Sequence, residues 1–144
     1  MSGFLGTKAA PLYDVNLILQ IIILIILVSG RKFAKDKKLI IHGRTMTTLL
    51  VLHTLAIVLI MIPSFITNFG ALLTVSDPRA IITWIHTIVG SSVEVIGVYL
   101  VTKWRFQPKA LAVCVKNKKF MKPTFILWGL SATLGIVFYL VYYL

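Results

Sequence analysis

Four mostly apolar stretches, each about 20 residues long, constrain this chain more than any other feature of its sequence. They are Leu12–Ser29, Leu39–Pro63, Arg79–Lys103 and Lys122–Leu144. A helix of about 20 apolar residues crosses the hydrocarbon core of a bilayer, whereas strands of a membrane β-barrel are about 10 residues long and strictly alternating. No such alternation occurs in the sequence. It therefore predicts an all-α integral membrane protein, a single domain of four transmembrane helices over residues 1–144.

The composition also indicates a membrane protein. Hydrophobic residues make up 58% of the chain and charged residues 13%, which excludes an ordinary soluble domain and a disordered chain. The single cysteine, Cys114, excludes a disulfide framework. A net charge of +11 is typical of proteins that bind nucleic acid or an anionic membrane face. Because the apolar excess favours the bilayer, we expect lipid contacts and no nucleic-acid partner.

The cations predict how the helices are oriented. Six of the 15 Lys and Arg residues lie between Arg31 and Arg44, and seven lie between Lys103 and Lys122. The positive-inside rule places such basic loops in the cytoplasm. Short connections make neighbouring helices antiparallel. We therefore expect a multi-pass protein of the cell membrane, an up-down-up-down bundle with both termini outside.

The connection between the second and third helices, Ser64–Ser76, is unusually apolar. It carries Phe65, Ile66, Phe69, Leu72, Leu73 and Val75. Such a segment either lies over the end of the bundle at the membrane interface or forms a contact surface for a partner subunit. We therefore expect other membrane protein subunits among the partners of this chain.

Two histidines inside the apolar stretches are the sharpest candidates for a binding site. His53 lies about 15 Å below the outer end of the second helix, counted from Pro63, and His86 lies about 10 Å below the outer end of the third. Two imidazoles at matched depth on antiparallel helices are what a b-type haem requires. The sequence thus predicts haem b between His53 and His86, with copper as the alternative cofactor at the same two ligands.

Two glycines share the helix face of His86. Gly90 and Gly97 are rotated from it by about 40° and 20° at 100° per residue. They either leave room for a flat macrocycle or let two helices pack closely in a small-xxx-small pattern. His42 lies on the same stripe of the second helix as His53, nearer the basic end. It is either part of a second cofactor site or an interfacial histidine beside lipid headgroups.

Glu94 is the one acidic residue deep in the apolar stretches, and we expect it to face the bundle interior or a partner because an exposed carboxylate in lipid is costly. It either handles protons, accepts a hydrogen bond from a quinol hydroxyl (which makes quinone a candidate ligand), or bonds to a neighbour such as Ser91. Asn16 and Gln20 share one face of the first helix, where they either line a ligand site or bond to another helix. Asp14, Asn16 and Gln20 interrupt the apolar run, so we expect a retained helix rather than a signal peptide.

Three segments resemble a known family. KLIIHGRTM (Lys38–Met46) is similar to the histidine-bearing start of the second helix in CtaM-like four-helix membrane proteins. IHTIVGSSVEVIGVYL (Ile85–Leu100) is similar to their third helix, and KKFMKPTFILWGLSATLGIVFYLVYYL (Lys118–Leu144) to their ending. The resemblance implies a role in the maturation of haem-copper terminal oxidases. It places His42 and His86 at motif positions, whereas His53 is additional.

These patterns favour a redox protein of the respiratory membrane that transfers electrons or helps mature an oxidase. The alternative is a non-catalytic accessory subunit of a larger membrane complex. A third class, a small transporter or proton channel, would depend on Glu94 and on the Asn16 and Gln20 face.

Overall fold

The structure, a computed structural model, describes residues 3–74, 76–106 and 116–144; Cys114 lies outside them. The helices are α1 (Pro11–Lys35), α2 (Leu39–Ala56), α3 (Ile62–Thr67), α4 (Phe69–Leu72), α5 (Pro78–Phe106) and α6 (Lys118–Tyr143). A π-helical turn, Ile57–Met61, joins α2 to α3, so the second long helix runs over Leu39–Thr67. Four helices are long and apolar enough to cross a membrane, and the described residues contain no strand. The prediction of an all-helical chain with four such helices is confirmed.

The second helix continues past the proline at which the sequence predicts its end. Proline lacks an N–H, and its ring collides with the carbonyl group four residues earlier in an α-helix. Just before Pro63 the Ile62 N–H donates to the Ile57 carbonyl, five residues back, which widens the turn. The wide turn lets the helix pass Pro63 and end at Thr67. The fourth helix also begins earlier than Lys122, so Pro123 lies inside α6 instead of at its start.

The four long helices form a closed ring around one apolar core. α1 packs against α2 and α6, and α5 packs against the same two helices. At the end where α1 begins and α6 ends, here the terminal end, the Tyr13 ring stacks on Tyr143 at 5.2 Å and its hydroxyl lies 3.2 Å from Ser64 Oγ. At the opposite, basic end, Gly43 of α2 lies against the Trp104 ring of α5. Neighbouring helices are therefore antiparallel. The core cluster consists of Ile23, Leu27, Leu49, Leu50, Val93, Trp128 and Ala132.

The apolar connection at the terminal end folds back onto α5. The Trp84 indole N–H donates to the Leu72 carbonyl at 3.0 Å, and the Phe65 ring packs edge-on against Trp84 with centroids 5.4 Å apart. Leu72 is buried, whereas Ile66 and Leu73 point outward and are 68% and 62% exposed. The connection thus covers the start of α5 with one side and presents an apolar side to its surroundings.

A buried carboxylate holds the N-terminal segment against the same end. Asp14 is fully buried; it accepts hydrogen bonds from the Leu5 N–H at 3.0 Å and from the Tyr139 hydroxyl at 2.5 Å. The Thr7 hydroxyl lies 2.8 Å from the Tyr139 oxygen. Asp14 therefore joins α1, α6 and the segment before α1.

Candidate functional site

A small cavity of about 140 Å³ lies between the second long helix and α5, and His53 and His86 line it. The second long helix contributes His53, Ile57, Met61, Ile62 and Phe65, and α5 contributes His86, Thr87, Gly90 and Ser91. His53 is 2% exposed. Apart from the hydroxyls of Thr87 and Ser91 the other lining side chains are apolar, so the two imidazoles are the strongest nitrogen ligands that line this space.

His53 is held by a carboxylate on the neighbouring helix. Its Nδ1 lies 2.6 Å from Glu94 Oε2, and its ring packs edge-on against Trp128 with centroids 5.5 Å apart. A carboxylate only accepts hydrogen bonds, so Nδ1 carries the hydrogen and the lone pair of the neutral ring is on Nε2. The carboxylate and the indole together set the orientation of the imidazole.

Glu94 faces α2, the inward orientation that the sequence predicts, but its partners are not the predicted Ser91. Besides His53, its Oε1 contacts the Thr54 hydroxyl. The same hydroxyl lies 2.9 Å from the Leu50 carbonyl, so one hydroxyl hydrogen has two acceptors. The Glu94 side chain is 17% exposed. Glu94 therefore connects α5 to α2 within the bundle.

His86 is held in the same manner, with a backbone acceptor in place of the carboxylate. Its Nδ1 lies 3.0 Å from the Ser131 carbonyl of α6, so Nδ1–H donates and Nε2 carries the lone pair. Within the ranges the structure describes, neither Nε2 atom has a hydrogen-bond partner. One ring nitrogen bonded to an acceptor and the other free is typical of histidines that bind metal ions.

The two histidines lie at different depths, unlike the matched depths that the sequence predicts. His53 bonds to Glu94, which follows His86 by eight residues, or about 12 Å along α5. The sequence estimate counted from Pro63, but the helix continues to Thr67 and so carries His53 deeper. Both side chains still meet one cavity, because that cavity extends along α5 from His86 to Ser91.

The two glycines on the His86 face provide close packing between helices. A Cβ at Gly90 would lie 3.1 Å from Ser131 Oγ. A Cβ at Gly97 would lie 3.1 Å from both the Trp128 ring and Leu50 Cδ1. Gly90 lines the small cavity and Gly97 does not. Of the two interpretations that the sequence left open, these contacts are those of small-residue helix packing.

His42 is separate from this site. Its Nδ1 lies 2.8 Å from the Gly30 carbonyl of α1, at the basic end of the bundle. It does not line the small cavity. The structure therefore brings His53, His86, Gly90 and Glu94 into one region, and leaves His42 and Gly97 outside it.

A second, larger cavity of about 440 Å³ opens at the terminal end. We call it the terminal cavity; its polar lining includes Asn16, Ser64, Asn68 and Arg79. It shares Met61, Phe65, His86 and Thr87 with the small cavity. The small cavity therefore lies directly beyond the terminal cavity, and His86 borders both.

The dimensions and donors of the small cavity decide which group it can hold. Pockets for drug-sized ligands begin at about 300 Å³, so a haem macrocycle does not fit into about 140 Å³ between these histidines. A volume of about 140 Å³ has room for a single ion. In the described residues no cluster of three His, Cys, Asp or Glu side chains could hold a metal. The donor set is instead two imidazoles and the thioether of Met61.

Sequence reasoning missed Met61, Thr54, Trp128 and Ser131 in this region. Met61 follows His53 by eight residues, which in an α-helix is a rotation of about 80°, so its position in the same cavity is not apparent from spacing. The π-helical turn, with more residues per turn, reduces this rotation. Comparison with protein-family models, with curated proteins and with solved structures finds no match for the chain.

Proposed function

We propose that this chain is a membrane-embedded copper protein of the redox machinery, with one ion held between α2 and α5 by His53, His86 and Met61. One observation carries the proposal. Both imidazoles line the same small cavity, and each has its Nδ1 held by an acceptor. This leaves two lone pairs on preoriented rings, with the carboxylate behind His53 raising the basicity of that ligand.

The donor set favours copper over other metals. Thioether sulfur is a soft ligand that selects Cu(I), whereas imidazole binds copper, zinc, iron and nickel. Two imidazoles and one thioether in an apolar, confined cavity match Cu(I), which needs few ligands and carries a single charge. Magnesium and calcium are disfavoured at this site, because both ions require oxygen donors.

The proposed role is copper handling beside a haem-copper oxidase, in the cell membrane. The resemblance of the segments around His42 and His86 to the CtaM-like family supports that context. The proposed orientation places the basic end in the cytoplasm, because 13 of the 15 cations lie in the two segments Arg31–Arg44 and Lys103–Lys122. The terminal cavity then opens on the outer side and gives copper a route to His86.

Copper affinity in the three single-histidine variants tests the proposal. The purified chain would compete with a chromophoric Cu(I) chelator under reducing conditions. We expect His53→Ala and His86→Ala each to weaken Cu(I) binding by about 100-fold, which corresponds to about 2.8 kcal/mol. His42→Ala is the matched control, since His42 bonds to Gly30 at the opposite end, and it should bind as the wild type does.

Methionine variants test the thioether in the same assay. Met61→Leu should weaken Cu(I) binding and leave Zn²⁺ binding nearly unchanged, because zinc has little preference for thioether sulfur. Met46→Leu is the control, since the Met46 methyl packs against Gly30. Equal Cu(I) affinity in wild type, His53→Ala and His86→Ala would refute the copper site and favour the accessory-subunit alternative.

A further inference from the structure

The mouth of the terminal cavity carries two opposite charges that are not paired with each other. Asp77 and Arg79 both line the cavity, and both are exposed. The Arg79 backbone N–H donates to Asp77 Oδ1 at 2.9 Å, which fixes the carboxylate at the first turn of α5. Among the residues that the structure describes, no carboxylate forms an ion pair with the Arg79 guanidinium. The cation and the anion are therefore both available to a ligand that itself carries both charges.

An aromatic ring holds the guanidinium at the cavity. Arg79 Cζ lies over the Tyr142 ring, 5.2 Å from its centroid, in a cation–π contact. A guanidinium that lies over an aromatic ring keeps its N–H donors, and it binds phosphate through two parallel hydrogen bonds. Arg79 is therefore placed to bind the phosphate group of a ligand at the mouth of the cavity.

Two oxygen atoms of the lining accept hydrogen bonds but have no donor in the described part of the chain. Asn16 lines the cavity, and its Oδ1 is buried without a partner. Asp77 Oδ2 has no partner there either. A buried acceptor without a donor loses the hydrogen bonds that it would make to water. The two oxygens therefore favour a primary ammonium group, which donates several hydrogen bonds and accepts none.

The position of these groups along the helices suits a short zwitterion. Arg79 is in the first turn of α5, whereas Asn16 follows the first residue of α1 by five residues, or about 7.5 Å. A ligand with its phosphate at the mouth and its ammonium further in would meet the guanidinium first and the amide oxygen second. The cavity of about 440 Å³ is within the range of small-molecule pockets, about 300–1,000 Å³.

The cavity also lies where lipid headgroups lie. It opens at the end where α1 and α5 begin and α6 ends. Tyr13, Tyr142 and Tyr143 line it, and tyrosine is enriched at the boundary between membrane and water. A phosphate and an amino group at this depth are the two charged groups of a phosphoethanolamine headgroup.

We propose that the terminal cavity binds a phosphoethanolamine group, with the phosphate on Arg79 and the ammonium on Asp77 and Asn16. The group belongs either to phosphatidylethanolamine of the surrounding bilayer or to free phosphoethanolamine. A choline headgroup has the same phosphate but no N–H donor, and a glycerol headgroup has donors but no cation. The proposal involves no metal, so it does not depend on the copper site.

Lipid selectivity of the metal-free, full-length chain tests the site. Native mass spectrometry of the protein in detergent would measure its affinity for phosphatidylethanolamine, phosphatidylcholine and phosphatidylglycerol with identical acyl chains. We expect phosphatidylethanolamine to bind about tenfold more tightly than either of the others, the effect of one charge-assisted hydrogen bond. Equal affinity for the three lipids, or tighter binding of phosphatidylcholine, would overturn the proposal.

Three substitutions locate the binding within the cavity. Arg79→Gln and Asp77→Asn change exposed residues, and asparagine still caps a helix, so both variants should fold. Each of them, and Asn16→Leu, should weaken phosphatidylethanolamine binding about tenfold. Asp77→Asn should in addition leave phosphatidylcholine binding unchanged. Asp36→Asn and Arg105→Gln are the controls, because both residues are exposed at the basic end. Wild-type affinity in folded Arg79→Gln and Asp77→Asn would overturn the site.

Free phosphoethanolamine distinguishes the two sources of the group. Displacement of the lipid by free phosphoethanolamine, and not by free phosphocholine, would show that the headgroup alone is bound. Selective binding of the lipid without such displacement would identify the bilayer lipid as the ligand, and both results support the site. Because no metal is present and His53, His86 and Met61 stay intact, failure of the copper site leaves these results unaffected.

Discussion

A hydrogen bond between Glu94 and His53 joins α5 to α2. In water each group would lose little by separating, but in the bundle interior a group left without its partner keeps its full desolvation penalty. The main effect of the 2.6 Å hydrogen bond is therefore to fix the orientation of the His53 ring. Ring orientation in turn determines whether Nε2 faces the small cavity.

Two substitutions of Glu94 distinguish the contribution of its hydrogen bond to stability from the contribution of its charge. Glu94→Leu leaves the His53 N–H without an acceptor, and we expect it to lower the free energy of unfolding by about 1–3 kcal/mol. Glu94→Gln retains an acceptor and should lose less. Denaturant unfolding in mixed micelles measures both. Ser92→Ala is the control, since Ser92 is exposed and bonds only to its own helix; an equal loss in Glu94→Leu and Ser92→Ala would contradict the assignment.

The Asp14–Tyr139 hydrogen bond predicts a second local effect on stability. Tyr139→Phe removes the donor from a fully buried carboxylate, and hydrogen bonds to charged groups contribute about 1.5–3 kcal/mol. We expect a loss of that size in thermal unfolding, together with faster proteolysis of the segment before α1. Tyr99→Phe, at an exposed ring, should change neither. Intact protection of the N-terminal segment in Tyr139→Phe would show that Asp14 does not hold it.

The sequence identifies the main residues of the site but not how they are paired. His53, His86 and Glu94 stand out because polar side chains are rare in apolar stretches. Their partners do not stand out, because Thr54 and Ser131 are ordinary helix residues and the Ser131 acceptor is a backbone carbonyl. Which hydroxyl or carbonyl group bonds to which side chain depends on how each helix is rotated about its axis. A single sequence does not specify that rotation.

At the scale of elements, the π-helical turn is the feature that composition could not predict. Pro63 marks a disruption in the sequence, but whether a helix stops at a proline or passes it depends on the packing that follows. Here Phe65 and Leu72 pack along the start of α5, which favours continuation of the helix to Thr67. The four long helices themselves are predictable, since length and hydropathy suffice to locate them.

Contact between α2 and α5 at the basic end predicts a sharp difference between two glycines. A Cβ at Gly43 would overlap the Trp104 ring, whereas a Cβ at Gly70 meets nothing within 4 Å. We expect Gly43→Ala to lower the free energy of unfolding by about 1–3 kcal/mol, the usual effect of overpacking. Gly70→Ala is the control and should have little effect. Equal stability of the two variants would mean that the two helices do not approach closely there.

At the scale of the whole molecule, the distribution of charge predicts which end enters the cytoplasm. The test uses single cysteines in a Cys114→Ser background, one at Asp36 in the first basic connection and one at Asp77 at the terminal end. We expect a membrane-impermeant reagent added to intact cells to label Asp77→Cys and not Asp36→Cys, with both labelled after lysis. Labelling of Asp36→Cys alone would reverse the orientation and place the terminal cavity inside the cell.

The bundle as a whole combines a cavity that opens at one end with a closed apolar core at the other. His86 borders both the terminal cavity and the small cavity, and His53, held by Glu94, lines the small cavity. Under the proposed function, a small ion would reach the small cavity through the terminal cavity. The central claim is therefore that the bundle holds one copper ion at these two histidines.

X-ray absorption at the copper K-edge tests that claim most directly, because it reports the atoms bound to the metal. The full-length chain would be loaded with Cu(I) and compared with His53→Ala, His86→Ala, and the His42→Ala control. We expect one copper per chain with two imidazole nitrogens and one sulfur in the wild type and in His42→Ala, and loss of one imidazole in each of the other variants. A spectrum without sulfur and imidazole scattering, or one that both histidine substitutions leave unchanged, would contradict the account.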